Sequence, residues 1–318
     1  LEQYYETYLR GKNGEQKFYI DNVGRISEII SSTDSVAGDD LYLSIDADLQ
    51  KATYLALQNE IAAIVYSNIK SGEIPINDVY TALIGNSVIN TEHFSKSKAS
   101  DTEKSVLSVF KSRQKTTLGK IKQELTSSPE ALNTMSDEVL DEFTYIISML
   151  KDDQVLLKNE IDTSDSVYQK WKDQKISPKE YLNYCITQHW IDISQLNVDE
   201  KYADSTEVYD ALCKYILKNI KTDTEFSKII YQYMITRGEI SPRQLCLILF
   251  DQGVLDYDDA TVNKLKNGSL SPRDFLMKKI YNIEITPAQL ALEPCIGSCV
   301  VTDEKTGEIR AMVSYPGY

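Results

Sequence analysis

Four short segments constrain this chain more than anything else in it: Ser177-Pro178-Lys179-Glu180, Ser241-Pro242-Arg243-Gln244, Ser271-Pro272-Arg273-Asp274 and Thr286-Pro287-Ala288-Gln289. In each, a hydroxyl can accept from an early backbone amide and proline presets φ for the first helical turn. The acidic or amide residue three places past the hydroxyl can reach back to the cap. Each segment therefore predicts a helix start. Their unequal spacing favours independent caps over a solenoid repeat. Across residues 69–285 glycine and proline are sparse and strand signals fade, while apolar residues recur at three- and four-residue intervals. Val106, Val109 and Phe110 make one stripe, and Val139, Leu140, Phe143, Ile146, Ile147 and Leu150 another. Further runs cover 181–190, 208–220 and 226–235. The interval reads as all-helical, an orthogonal bundle of short helices, with residues 95–100 and 126–129 as loops.

The two ends of the chain have a different grammar. Residues 16–20 and 25–30 flank the turn cluster Asp21-Asn22-Val23-Gly24, which predicts a hairpin. Leu41, Leu43 and Ile45 alternate as a strand facing a core, and Asp46 is placed to cap a helix that carries Leu49, Ala52, Ala56, Ile61, Ile64 and Val65 into the sixties. At the far end, 298–302 is β-rich, Gly307 suits a hairpin turn, and Ile309, Ala311 and Val313 alternate on a return strand.

Composition excludes several function classes. The 318 residues are 42% hydrophobic, enough to bury one or two cores. A formal net charge of −14 argues against nucleic acid and against an anionic membrane surface, and reads as a solubilising exterior. No apolar run approaches a membrane span, and Leu1-Glu2-Gln3-Tyr4 is no signal peptide. Cys185, Cys213, Cys246, Cys295 and Cys299 are odd in number and lack Cys-x-x-Cys spacing, and His93 and His189 are the only histidines. That fits neither a disulfide framework nor a zinc site, so the thiols read as structural, and a strand would hold Cys295 and Cys299 beyond bonding distance. The acidic run 256–259 lacks the glycine and distal glutamate of a calcium loop and reads as a helix start or loop. There is no glycine-rich phosphate loop, no His-Glu-x-x-His and no Gly-x-Ser-x-Gly. The 21 tyrosines, at scattered helical spacing, read as core and rim packing before a sugar-stacking surface.

Three blocks, taken in order, resemble the non-catalytic region of class B penicillin-binding proteins, the monofunctional peptidoglycan D,D-transpeptidases. Leu1-Glu2-Gln3-Tyr4-Tyr5-Glu6, followed by Leu9-Arg10-Gly11-Lys12-Asn13-Gly14, is similar to that family's aromatic pair and its leucine-x-glycine-x-x-glycine segment. The stretch from Gly38-Asp39-Asp40-Leu41 to Ile45-Asp46-Ala47-Asp48-Leu49-Gln50 resembles its strand-to-helix signature, and residues 300–318 resemble the hairpin linking pedestal to transpeptidase domain. The resemblance implies an α+β fold: residues 1–66 plus 292–318 form a small β-rich pedestal, or dimerisation domain, and 67–291 form an all-helical insertion. The two ends are expected to lie side by side in a shared β-layer. It further implies a parent on the outer face of the bacterial cytoplasmic membrane, held by a single N-terminal anchor upstream of Leu1. That parent would cross-link peptidoglycan and be acylated by β-lactams. Implied partners are its own transpeptidase domain, absent here, a membrane glycosyltransferase of the shape, elongation, division and sporulation family, other wall-synthesis proteins, and a second copy in a homodimer.

That family's chemistry needs a serine three residues before a lysine, a Ser-x-Asn triplet and a Lys-Thr-Gly triplet on a strand. Ser67/Lys70, Ser95/Lys98, Ser108/Lys111, Ser112/Lys115 and Ser148/Lys151 satisfy the first, and Lys305-Thr306-Gly307 the last, but Ser-x-Asn is absent. All six matches read as coincidences, so the sequence assigns no catalytic, cofactor-binding or metal-binding residue. Two other functions stay open: a free-standing helical module binding glycans or wall proteins, and a serine hydrolase that forms an acyl-enzyme at one of these serines.

Overall fold

The computed structural model describes residues 2–127, 130–196, 198 and 204–317. The chain divides into two compact units, Leu1–Leu55 with Ser298–Ser314, and Ala56–Gly297 with Tyr315–Tyr318. The divisions fall after Leu55 and after Gly297, where the sequence had placed them after residues 66 and 291. Thirteen α-helices and four strands among the described residues make the chain α+β, with small sheets at its ends and helices between.

In the first unit, α1 (Glu2–Leu9) precedes β1 (Glu15–Ile20) and β2 (Ile26–Thr33), which pair antiparallel from Glu15 opposite Thr33 to Ile20 opposite Ile26. The turn closes as its residues dictate. Asp21 Oδ1 accepts from Val23 N and Arg25 N, both at 2.9 Å, and Gly24 takes φ 81°. At the other end, β3 (Gly297–Thr302) and β4 (Ile309–Tyr315) form a second, separate two-stranded sheet.

The expected shared β-layer is therefore corrected to two hairpins, and residues 41–45 form no strand. Leu41 and Leu43 are exposed rather than core-facing. The physical reason lies on β4. Gln50 Oε1 accepts from Met312 N and Gln50 Nε2 donates to Met312 O, each at 2.7 Å, so one side-chain amide fills the donor and acceptor that a further strand would use. The ends still meet: Asp46 N donates to Arg310 O at 2.8 Å and the Ser44 hydroxyl to Ile309 O at 2.7 Å. Asp46 also caps α2 (Ala47–Ser71), its Oδ1 accepting from Leu49 N at 2.9 Å.

The remaining helices are α3 (Ile76–Gly85), α4 (Asp101–Thr126), α5 (Asp137–Asp152), α6 (Ser166–Lys172), α7 (Pro178–Thr187), α8 (Ser205–Ile220), α9 (Thr224–Thr236), α10 (Pro242–Asp251), α11 (Asp259–Asn267), α12 (Pro272–Tyr281) and α13 (Pro287–Leu290). All four Ser/Thr-Pro segments start helices. Ser177, Ser241, Ser271 and Thr286 accept from the amides of Glu180, Gln244, Asp274 and Gln289, and Ser241 and Thr286 complete capping boxes. Of the expected loops, Ser95 closes a 3-10 turn (Thr91–Ser95), and Ser128 and Pro129 lie outside the described residues.

The helix ends reveal a period that the helix starts conceal. Gly238, Gly253, Gly268 and Ile283 all have positive φ and follow one another every fifteen residues. After Gly238, Gly253 and Ile283, the amides of Glu239, Val254 and Glu284 bond the carbonyls of Met234, Leu249 and Lys279. The amide of each left-handed residue itself bonds the carbonyl three places back, which completes a Schellman turn. Ile240, Leu255 and Ile285 then plug the core. Positive φ recurs fifteen residues apart at Gly72 and Ser87, and again at Gln174 and His189. The helical unit is thus built in part from fifteen-residue helix-and-turn pieces, which corrects the reading of unrelated caps. The piece opening at Gly253 hides the period because it starts its helix from Asp258, whose Oδ1 accepts from Ala260 N, without a Ser-Pro pair.

Aromatic and carboxylate groups lock these pieces together. Phe110 stacks on Tyr231 at 4.2 Å, with Phe94 edge-on to Tyr231 at 5.8 Å. The hydroxyls of Tyr145, Tyr184, Tyr215 and Tyr233 donate to Asp223, Asp165, Asp153 and Asp141, which accounts for part of the tyrosine and aspartate content. On α5, Glu138 is buried and bridges two helices, its Oε1 2.8 Å from Arg113 Nη2 and its Oε2 2.6 Å from Arg237 Nη2. One turn on, Glu142 is 1% exposed and its Oε1 has no partner among the described residues; burial, reinforced by the Glu138 charge, pushes its carboxyl up to about 8. All five thiols are free, with Cys185, Cys213 and Cys246 buried.

Candidate functional site

The first two sequence blocks that carry the family resemblance meet in space. As α1 ends at Leu9, Gly11 turns the chain at φ 68°, and Lys12 and Val36 exchange backbone hydrogen bonds at 2.8 and 2.9 Å. Asp39 N then donates to Tyr8 O at 2.8 Å. A Cβ on Gly38 would lie 1.9 Å from Leu9 O, and one on Gly11 2.3 Å from Val36 O and 2.7 Å from Gly38 N. One on Gly14 would lie 2.9 Å from both Ser35 N and Thr33 O. These glycines stand where backbone presses on backbone, so any side chain would force the segments apart. We expect Gly38→Ala to destabilise this unit by at least about 2 kcal/mol, read as lost amide-exchange protection at Lys12 and Val36. Unchanged protection would show that the close approach is not required.

Beside this junction, Tyr4, Tyr5 and Tyr8 on α1 face Asp39, Asp40 and Leu41 across a groove of about 550 Å³. The rings stagger along the helix, Tyr4 edge-on to Tyr5 at 4.9 Å and Tyr5 tilted to Tyr8 at 6.4 Å, and Tyr4 is 81% exposed. On the same unit, β1 and β2 expose Phe18, Ile20, Ile26, Ile29 and Ile30. A surface of aromatic and aliphatic groups edged by carboxylates suits contact with another macromolecular surface. The sequence reading missed the groove, although the Tyr-Tyr-x-x-Tyr spacing on a helix with Asp39-Asp40 downstream was its signal.

Catalytic text in the sequence finds other uses. Lys305-Thr306-Gly307 sits in the β3–β4 turn, where Asp303 Oδ1 accepts from Lys305 N at 2.8 Å and Thr306 N at 3.1 Å. Those two amides hold the Asp303 carboxyl below the usual carboxylate range. Thr306 Oγ1 accepts from Glu308 N at 3.3 Å, and Gly307 takes φ 75°. Ser95 donates to Glu92 O at 2.9 Å, while Ser67, Ser108, Ser112 and Ser148 lie on exposed positions. Among the described residues none of these five hydroxyls bonds its lysine, no group of three His, Cys, Asp or Glu side chains converges as a metal site, and no helix is long and apolar enough to cross a membrane.

Comparison with known proteins points the same way as the three blocks. Residues 1–43 match the family model described as Penicillin-binding Protein dimerisation domain. The chain is 34% identical over 107 residues to Peptidoglycan D,D-transpeptidase FtsI of Escherichia coli K12, covering 34% of this chain and 18% of that protein. It is 32% identical over 74 residues to Peptidoglycan D,D-transpeptidase MrdA of Salmonella typhimurium SL1344, covering 23% of this chain and 12% of that protein. The chain thus spans less than a fifth of the length of these curated relatives. No solved structure matches it. The glycine junction and its tyrosine-lined groove lie within the matched block, so residues 1–43 are a penicillin-binding protein dimerisation-domain region, related to the FtsI and MrdA transpeptidases.

Proposed function

We propose that this chain is the non-catalytic, extracellular pedestal of a peptidoglycan D,D-transpeptidase, with residues 67–291 as a helical insertion and both chain ends in the pedestal. Cross-linking chemistry resides in a transpeptidase domain outside residues 1–318, and the parent is held at the outer face of the cytoplasmic membrane by an anchor. The pedestal supports that domain and offers the tyrosine groove and the exposed hairpin to partners, a membrane glycosyltransferase, other wall-synthesis proteins or a second copy. One observation carries the reading. The family's glycines hold the N-terminal blocks together, and Asp46 and Gln50 of the second block bond the terminal hairpin at Arg310 and Met312.

Incubation with a fluorescent penicillin tests the absence of chemistry. No covalent label is expected on this chain, and labelling at Ser67, Ser95, Ser108, Ser112 or Ser148 would replace the pedestal with a serine acyl-enzyme. Sedimentation with isolated peptidoglycan separates the remaining alternative. Saturable retention would favour a glycan-binding module, whereas a pedestal stays in the supernatant.

A further inference from the structure

Residues of α4 and α8 enclose a groove of about 500 Å³ whose charge runs against that of the chain. Lys111, Lys115 and Lys122 line it from α4, and Lys221 from the C-terminal cap of α8. Leu118 and Leu217 supply apolar floor, and Gln114 Nε2 ties the walls by donating to Lys221 O at 3.0 Å. Among the described residues no carboxylate lines the groove, in a protein of 48 acidic and 34 basic residues. Elsewhere Lys175, Lys228 and Lys279 are each paired with a carboxylate, yet among the described residues none of these four ammonium groups has an ion pair or side-chain hydrogen bond. Four unpaired like charges around one concavity repel each other, and an anion entering it relieves that repulsion.

A second, independent feature sits on the same floor. Gly119 falls in the interior of the 26-residue helix α4, where glycine is the poorest helix former after proline. A Cβ there would meet nothing within 4 Å, so no packing inside this chain calls for glycine at that position. Its absent side chain leaves bare backbone in the groove, which allows close approach of a ligand.

From these two features we propose that the α4–α8 groove binds a linear phosphodiester-linked polymer that carries no bases. The lysines set the length. At about 1.5 Å rise per residue, Lys111, Lys115 and Lys122 stand at roughly 0, 6 and 16 Å along the helix, a track for successive charges. The residue type suits the anion. Lysines are point charges that bond phosphate oxygens without the fixed fork by which Arg113 and Arg237 hold Glu138, and the poly-glutamate arm of the test separates phosphate from the carboxylates that Lys175, Lys228 and Lys279 pair with elsewhere. Bases would gain nothing there, because among the described residues the lining offers no aromatic ring for them to stack on. The inference is independent of the proposed pedestal role, since it rests on the helical unit alone.

The test uses the whole chain and three fluorescently labelled probes of equal charge: a glycerol-phosphate oligomer, an oligothymidylate and a poly-glutamate peptide. The glycerol-phosphate oligomer should bind, with affinity falling about fiftyfold between about 50 and 200 mM salt if four phosphates are engaged. Oligothymidylate should bind no more tightly, and poly-glutamate more weakly. Combining Lys115→Ala with Lys122→Ala should halve the salt slope. Gly119→Ala should raise the urea midpoint of unfolding while weakening binding, a combination that a merely structural glycine cannot give. The proposal is overturned by an absence of glycerol-phosphate binding, by tighter binding of the oligonucleotide, by equal binding of poly-glutamate, or by variants that bind as the parent does.

Discussion

Exchange of Glu142 for glutamine should stabilise the protein, and by an amount that grows with pH. Burial disfavours the charged form of the Glu142 carboxyl and Glu138 repels it, which together push it up to about 8 in the folded chain, far above the ordinary glutamate range near 4.5. Between those values the folded state holds a proton that the unfolded state has released, so stability falls as pH rises through the window and levels off above about 8. Glutamine keeps the shape without the proton linkage. The gain should be near zero at pH 4 and about 3 kcal/mol at pH 7. Urea unfolding of both proteins across that range measures it, and a difference that does not change with pH would show that Glu142 is not held neutral.

Loss of Glu138 should act in the opposite direction and as strongly. Its carboxylate, 3% exposed as a residue, is the shared partner of Arg113 on α4 and Arg237 at the end of α9. Glu138→Ala leaves the half-buried Arg113 guanidinium without its main counter-charge, although Glu239 lies 3.6 Å away, while Arg237 at 40% side-chain exposure can turn to water. The expected cost is about 3 kcal/mol, at the low end for a broken buried pair. The two carboxylates are also coupled, since removing Glu138 removes a repulsion on Glu142. The double variant Glu138→Ala with Glu142→Gln should therefore depart from the sum of its parts, and strict additivity in a double-mutant cycle would argue that the network is not one unit.

Legibility followed the range of the interactions. Helix starts were plain in the sequence because a cap is built within four residues, and Ser177, Ser241, Ser271 and Thr286 all accept the amide bond their spacing implied. The first turn was equally local, with Asp21 and Gly24 doing what such residues do in hairpins. The strand expected at residues 41–45 failed because its existence depended on a distant edge, and Gln50 had already taken the peptide of Met312. Alternating leucines cannot announce that. The fifteen-residue period was also obscured, since its marker is a backbone angle that Gly, Ser, Gln, His and Ile all adopt in this chain. As for the site, the resemblance singled out Gly11, Gly14 and Gly38 without a reason, and the reason is contact with backbone about twenty to thirty residues away in sequence. The lysine groove was invisible because α8 brings Lys221 to a face of α4 that, read alone, is an ordinary solvated helix surface.

The helix-and-turn pieces carry a consequence for how such a chain can change its size. Each left-handed residue ends one helix and sets the cap of the next, so cutting out or splicing in a whole piece leaves every other turn in phase. An indel of another length inside one of these helices would move Gly238 or one of its successors out of register with the turn it forms. The helical unit is in that sense quantised: it can grow or shrink by whole steps of fifteen while the segments on either side keep their sequence unaltered.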